Sequence, residues 1–261
     1  MNSQLRALFA GAGFAIAMAN AAFAADMSAK APMVASAPVS NWTGFYFGAG
    51  GGYGMWTADT QTISPTTGAC VLCVTQVQGG RGWFGTVGTG FDYQASDRIV
   101  FGVLADYDVA SLKGTIQDQM PFFAGTIREQ SSWQVGARAG WLVTPAIMSY
   151  VNGGYSNARF FGTNLVFTGS ASPSGFGTPS FSHGGWFIGS GVEAMFSPGW
   201  YWRNEYRFAN SGTSNLTDSC AVSCSPLGNP QATIVFKPVV QTVRSEIVYK
   251  FNWGGPVLAK Y

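Results

Sequence analysis

The residues of this chain best suited to chemistry are four cysteines in two close pairs, Cys70-Val-Leu-Cys73 and Cys220-Ala-Val-Ser-Cys224. A C-x-x-C pair can cycle between thiol and disulfide, but that activity belongs to a βαβ setting, which the surroundings of Cys70 do not offer. Zinc is poorly served as well, because no histidine lies near either pair. In an exported chain an even cysteine count points to disulfides. Other motif matches carry less. His183 is the only histidine and reads as an ordinary loop residue at the lip of a strand rather than a haem ligand. Gly48, Gly50, Gly51, Gly52 and Gly54 superficially match a phosphate loop, yet neither a helix nor a lysine follows to hold a phosphate. In a strand they would allow close packing or bending of a wall. Asn41-Trp-Thr43 and Asn215-Leu-Thr217 fit a glycosylation pattern that is frequent by chance. No nucleophile can be paired with a base and an orienting group, so a non-enzymatic protein without metal or cofactor is expected.

What the chain offers instead is patterned strands. In the run from Val239 to Phe251, apolar Val239, Val243, Ile247, Tyr249 and Phe251 fall on odd positions, and Thr242, Arg244, Glu246 and Lys250 on even ones. With period two these sets point to opposite faces. A soluble sheet would turn the charges to water, whereas a membrane barrel turns the apolar set to lipid and the charges inward.

Export and composition favour the barrel. Arg6 precedes an apolar, charge-free run from Ala7 to Met18 that ends in Ala22-Phe-Ala24, which reads as a signal peptide (1–24) with an A-x-A cleavage site. A single anchor helix would need ~20 apolar residues, more than this run supplies. The Ala/Pro/Ser-rich stretch that follows reads as a flexible periplasmic leader (25–41). Charged residues make up only 10% of the chain, against about 25% in ordinary globular domains. No later segment is long and apolar enough to span a membrane as a helix, so any crossing must be made by a closed barrel. Removing Arg6 with the signal peptide leaves 13 basic residues of 14 against 12 acidic ones. That near-neutral sum gives no reason to expect a nucleic-acid partner.

Eight strand-like runs are expected near 42–56, 82–94, 99–112, 130–143, 148–160, 184–196, 200–209 and 239–251, with a periplasmic tail at 252–261. Their connections alternate in length. Tight turns are expected at 95–98, 144–147 and 197–199, and long extracellular loops at 57–81, 113–129, 161–183 and 210–238. The implied fold class is all-β, an eight-stranded antiparallel up-and-down transmembrane barrel over 42–251. Aromatic residues then gather at two heights. The inner belt would hold Trp42, Phe45, Tyr93, Phe101, Trp141, Tyr150, Phe196, Trp200, Trp202, Tyr249 and Phe251, and the outer belt Trp56, Trp83, Tyr107, Trp133, Phe160, Trp186 and Phe208. Strand parity places Asp92, Asp106, Asp108, Arg138, Glu193, Arg203, Glu205, Arg207, Arg244, Glu246 and Lys250 inside. There Glu205 and Glu246 are expected among Arg203, Arg207, Arg244 and Lys250. Eight strands leave room only for side chains, so the interior should be a packed polar core without a wide channel. Asn204 falls on the lipid parity and would require a bulge to escape it. In such a ring the loops carrying the two cysteine pairs emerge side by side, which allows either two local rings or a staple between loops.

Two further stretches carry a family resemblance. Asn41-Trp-Thr-Gly-Phe-Tyr-Phe-Gly48, after a leader containing Lys30-Ala-Pro, and the terminal Tyr249-Lys-Phe-Asn-Trp-Gly-Gly-Pro256 resemble the alphaproteobacterial, porin-like outer-membrane β-barrel family typified by the Brucella 25 and 31 kDa outer-membrane proteins. The resemblance implies an opacity-protein-like eight-stranded barrel in the outer membrane of a Gram-negative bacterium, embedded in lipid and lipopolysaccharide. Some members are linked to haemin binding or host contact, so a host or surface ligand at the loops is implied. It also implies delivery to the barrel-assembly machinery through a last strand of alternating apolar residues, matched by Ile247, Tyr249 and Phe251. The four cysteines depart from the commonest family pattern, and loop functions do not carry over. The expected role is structural or one of surface recognition through the loops. A narrow pore for ions or very small solutes is the alternative, and a periplasmic lipocalin-like binder the soluble one.

Overall fold

Alternating apolar and polar residues with period two specify strands, and the described residues form twelve: β1 (Gly44–Ile63), β2 (Gln76–Gln94), β3 (Ile99–Gln117), β4 (Phe123–Thr144), β5 (Ile147–Phe161), β6 (Asn164–Phe167), β7 (Pro173–Gly177), β8 (Phe181–Ser197), β9 (Trp200–Asn210), β10 (Ser214–Thr217), β11 (Ser219–Cys220) and β12 (Thr233–Phe251). The computed structural model describes residues 41–70, 73–117, 123–168, 172–220 and 233–251. The signal peptide, all of the leader but Asn41, the tail at 252–261 and Cys224 lie outside the described residues.

Eight long strands pair antiparallel in the order β1, β2, β3, β4, β5, β8, β9, β12, and β12 returns to β1, so each has a neighbour on both edges. The closing seam runs unbroken from Phe45 opposite Phe251 to Ile63 opposite Thr233. Three short connections lie on one rim, at 95–98, 145–146 and 198–199. The last has Pro198 followed by Gly199 at a φ of +80°, the pairing a type II turn demands.

The opposite rim corrects the loop assignment. The strands run well past the expected ends. β3 and β4 continue to Gln117 and Phe123, so the second connection shrinks to 118–122 instead of forming a long loop. The other three connections also start later than expected, and two contain strands of their own. β6 adds to β4, β7 to β6 and β11 to β7, while β10 pairs with β12. Inward apolar residues such as Ile116, Phe123, Ile127, Ile234 and Phe236 drive the extension, because all are fully buried beneath the rim.

Outward positions between the rims are apolar and exposed, including Phe47, Val87, Val103, Val109, Val151, Ile188 and Val243. Above and below them stand aromatic belts. Phe45, Tyr93, Phe101, Trp141, Phe196, Trp200, Trp202 and Phe251 are exposed near the tight turns, and Trp83, Tyr107, Trp133 and Trp186 toward the other end. Four residues expected in the belts are inside instead: Trp42, Trp56, Tyr150 and Phe160 are 0–3% exposed. They have belt height but inward parity, and parity decides. Asn204 also needs correction, since it faces outward on a regular ladder opposite Ser245 and Val192, with no bulge at that point.

Inward residues form three layers. Trp42, Tyr46, Val100, Leu142, Met148, Tyr150, Tyr201 and Val248 close the end near the turns. Charged residues fill the middle. A larger apolar core that includes Trp56, Leu112, Phe123, Phe160, Phe176 and Phe236 fills the far end. Glycines on β1 make room for it, since a Cβ on Gly52 would meet the Phe84 ring at 2.7 Å and one on Gly54 would meet Leu112 at 2.9 Å.

Because Val243 is 61% exposed on the outward face of β12, Val243→Lys should lower the stability of the folded barrel in phospholipid vesicles by about 2–4 kcal/mol. Urea titration followed by the folded and unfolded gel bands measures the effect.

Candidate functional site

The interior between the two apolar layers is the one place where charge is concentrated. Inward positions of β2 (Asp92), β3 (Asp106, Asp108), β4 (Arg138), β8 (Glu193), β9 (Arg203, Glu205, Arg207) and β12 (Arg244, Glu246, Lys250) carry the eleven charged residues read from parity, and all eleven are buried. Charges desolvated to this degree persist only when paired and hydrogen-bonded.

Pairing is dense in the half nearer the tight turns. Arg138 binds Asp92 through Nε at 2.8 Å and a second guanidinium nitrogen, and reaches Glu193 at 3.0 Å. Lys250 bridges Asp92 and Glu193, both at 2.8 Å. Arg203 joins Glu193 at 2.9 Å and Glu246 at 3.2 Å. Tyr46 lies between two guanidiniums, with Arg138 4.6 Å and Arg203 4.7 Å from its ring centre, and Lys250 sits 4.1 Å from the centre of Trp42. Cation–π contacts of this kind strengthen when desolvated.

The other half is arranged differently. Arg207 pairs with Asp106 at 2.8 Å and Glu205 at 2.6 Å, and Arg244 with Asp108 at 3.0 Å and, more distantly, Glu246 at 3.7 Å and Asp106 at 3.8 Å. Glu205 also accepts hydrogen bonds from the Tyr150 hydroxyl at 2.8 Å and Asn152 at 2.7 Å. The expected cluster of Glu205 and Glu246 with Arg203, Arg207 and Arg244 is therefore present, but Lys250 stands apart from it and pairs with Asp92 and Glu193. Partners come from across the lumen as well as from adjacent strands. That is geometry only a closed ring provides.

Glu129 was missed. It is 3% exposed on β4 and forms none of the ion pairs among the described residues. Simple alternation hides it, because a register shift between Glu129 and Ser131 puts odd Glu129 on the same face as even Ser132. Its burial beside Asp108 was legible only once the bulge was known.

The other predicted residues are spread over the exterior and the rims. Cys70 and Cys73 are bonded to each other. The first pair thus closes a local ring, which rules out a staple from it to the last loop. Cys73 has a φ of +52°, uncommon for a residue other than glycine. Cys220 ends β11 at the same rim. His183 lies half-buried within β8 rather than in a loop. Ile247 and Phe251 point outward at 45% and 43% exposure, and Tyr249 packs against Phe251 and Trp200, each at 4.9 Å. Among the described residues no three His, Cys, Asp or Glu side chains are grouped to hold a metal.

Residues 8–223 match the outer membrane protein beta-barrel domain family. This chain belongs to that family. Its final barrel strand lies past the matched residues and completes the ring by pairing with β1. The barrel is similar to the 31 kDa outer-membrane immunogenic protein of Brucella melitensis, at 27% identity over 215 residues, covering 79% of this chain and 88% of the relative. It is also similar to the 25 kDa outer-membrane immunogenic protein of Brucella abortus, at 28% identity over 200 residues, covering 74% of this chain and 79% of that one. The crystal structure of OprG from Pseudomonas aeruginosa shares the fold, with a TM-score of 0.56 at 14% identity and coverage of 82% of this chain and 100% of OprG. The barrel therefore resides in the outer membrane of a Gram-negative bacterium.

Glu193 has cationic partners on three sides, at 2.8–3.0 Å. Glu193→Gln should destabilise this barrel by about 3–5 kcal/mol, the cost of stranding buried charges. Denaturant midpoints in vesicles read the loss.

Proposed function

We propose that this outer-membrane barrel is a closed, non-catalytic scaffold whose work is done at its extracellular rim, in surface structure or recognition. The filled lumen carries this reading. An apolar layer lies at either end, the ion-paired network lies between them, and the cavity among the charged residues, bordered by Asp108, Glu129, Arg207 and Arg244, amounts to only about 20 Å3. That is room for one or two water molecules. Eight strands leave no spare interior once their side chains are in place. Supporting the rim role, the chain there continues as paired strands around an aromatic core, which includes Leu165 and Phe176 from β6 and β7 and Leu216 from β10. Such a rim offers a fixed surface to a host or surface ligand. Its lower part, flanked by Trp83, Tyr107, Trp133 and Trp186, faces the lipopolysaccharide leaflet.

Reconstitution of the purified barrel into planar bilayers tests the closed reading. Silence under applied voltage is the expected outcome, and stable single-channel conductance would replace the scaffold with a narrow pore.

Assembly belongs to the same proposal. A signal peptide (1–24) and leader (25–41) would leave the first strand starting at the periplasmic rim, and the outward Ile247, Tyr249 and Phe251 would present the last strand to the barrel-assembly machinery. On that basis Phe251→Asp should reduce insertion into the outer membrane more than deletion of 252–261. Heat-modifiable gel mobility of membrane fractions compares the two, and equal losses would count against the assignment.

A further inference from the structure

Positive and negative charges are not matched evenly along the lumen. In the periplasmic half Asp92, Glu193 and Glu246 face Arg138, Arg203 and Lys250, three against three. In the outer half Asp106, Asp108, Glu129 and Glu205 share only Arg207 and Arg244, four against two among the described residues. The excess lies at one spot. The polar lining of the cavity of about 20 Å3 is Asp108, Glu129, Ser132, Gln134 and Ser156 together with Arg207 and Arg244, with apolar side chains such as Phe84 and Leu112 making up much of the rest.

The oxygens around it are short of partners. Asp108 Oδ1, Glu129 Oε2, Gln134 Oε1 and Ser156 Oγ are all buried and make no hydrogen bond. The rest of the local network is already committed. Ser132 Oγ donates to Asp108 Oδ2 at 3.4 Å, and Gln134 Nε2 lies 3.3 Å from the same oxygen and 3.2 Å from Ser132 Oγ. That use of its amide nitrogen leaves the Gln134 carbonyl as an acceptor without a donor. Register keeps these side chains together, with Ser132 opposite Asp108 and Gln134 opposite Ser156. Unpaired buried acceptors cost free energy, and a surplus of buried carboxylate costs more.

We propose that this cavity is a binding site for a hard divalent cation of the calcium type, held by Asp108, Glu129, Gln134 and Ser156. A divalent ion cancels the surplus of two negative charges and supplies a partner to each orphan oxygen at once. The donors are carboxylate, amide carbonyl and hydroxyl, with no sulfur or imidazole, which selects calcium or magnesium over zinc or copper. Mixed, irregular donors suit calcium, whereas magnesium demands octahedral geometry and keeps several waters for which the cavity has no room, and the space left admits one water as a further ligand. Arg244 Nε, also without a hydrogen bond, can donate to that water. The site lies under the outer apolar core, so the ion would enter as the barrel folds and would be retained as part of it.

The barrel refolded from urea into detergent, free of lipopolysaccharide, provides the test. After refolding with calcium and removal of free ion, elemental analysis should find about one calcium per chain. Thermal unfolding should occur at a lower temperature for protein refolded in EDTA. Glu129→Gln should weaken retention of calcium about tenfold or more and remove the EDTA sensitivity. Ser156→Ala, a milder change, should weaken retention to a smaller degree while leaving the fold intact. Glu193→Gln, in the balanced half, should lower stability yet keep the calcium. The proposal is overturned if the wild-type barrel retains no calcium and unfolds identically with calcium or EDTA. It is equally overturned if stability responds to pH through Glu129 with no response to calcium, since a proton would then be the neutralising ion.

Discussion

Hydrocarbon offers no water to an unpaired amide, so every strand edge in the membrane must find another strand. The seam between β1 and β12 satisfies that demand for this chain, and its unbroken register fixes the number of strands at eight. Eight fixes the diameter. The diameter then leaves the interior to side chains alone, and with lipid outside, the charged residues have nowhere to go but into one another's reach. Ion pairing in the lumen is thus a consequence of closure. Glycines on β1 follow from the same confinement, since the Phe84 and Leu112 side chains occupy the space a Cβ would take.

Parity carried most of what could be read from the chain beforehand. It put Arg244, Glu246 and Lys250 inward and Val243 and Ile247 outward, and period two is a rigid rule within a regular strand. Height along a strand is a weaker guide. Trp42, Trp56, Tyr150 and Phe160 have the level of a belt residue but the face of a core residue. The outer strand extensions were hidden by composition, because Gly, Ser and Thr between widely spaced apolar residues look like loop. Only packing against other strands reveals that Phe123, Ile127, Ile234 and Phe236 alternate inward for a reason. Glu129 combined both obstacles, since it stood in a segment taken for loop and beyond a register shift that inverts the count. Pairing between neighbouring strands was partly legible, as for Glu205 and Glu246 among Arg203, Arg207 and Arg244, but pairing across the lumen was not. Arg207 and Asp106 are 101 positions apart and meet only because the ring closes.

The two halves of the lumen solve the same electrostatic problem with different means. The periplasmic half uses matched numbers and aromatic faces, with the rings of Tyr46 and Trp42 taking part in charge solvation. Tyr150 and Tyr201 complete that layer beside Met148 and Leu142. In the outer half amides and hydroxyls join the aromatic faces: Arg207 and Arg244 lie over Phe187 and Phe84, and Tyr150, Asn152, Gln134 and Ser132 reach the carboxylates. A single residue, Arg244, has to serve several acids there.

The outer apolar core sets a limit on how the exposed part of this protein can diversify. Phe123 lies ten positions along β4 from Trp133, about 33 Å along the strand and on the order of 25 Å along the barrel axis, so the collar beyond that aromatic belt is a small β core in its own right. Substitutions there fall into two kinds with unequal consequences. Outward positions can change at little thermodynamic cost, while fully buried inward ones such as Phe160 or Phe236 are held by packing like the interior of any globular domain. Change tolerated on this collar therefore falls on alternate residues, a pattern of sequence variation with a period of two.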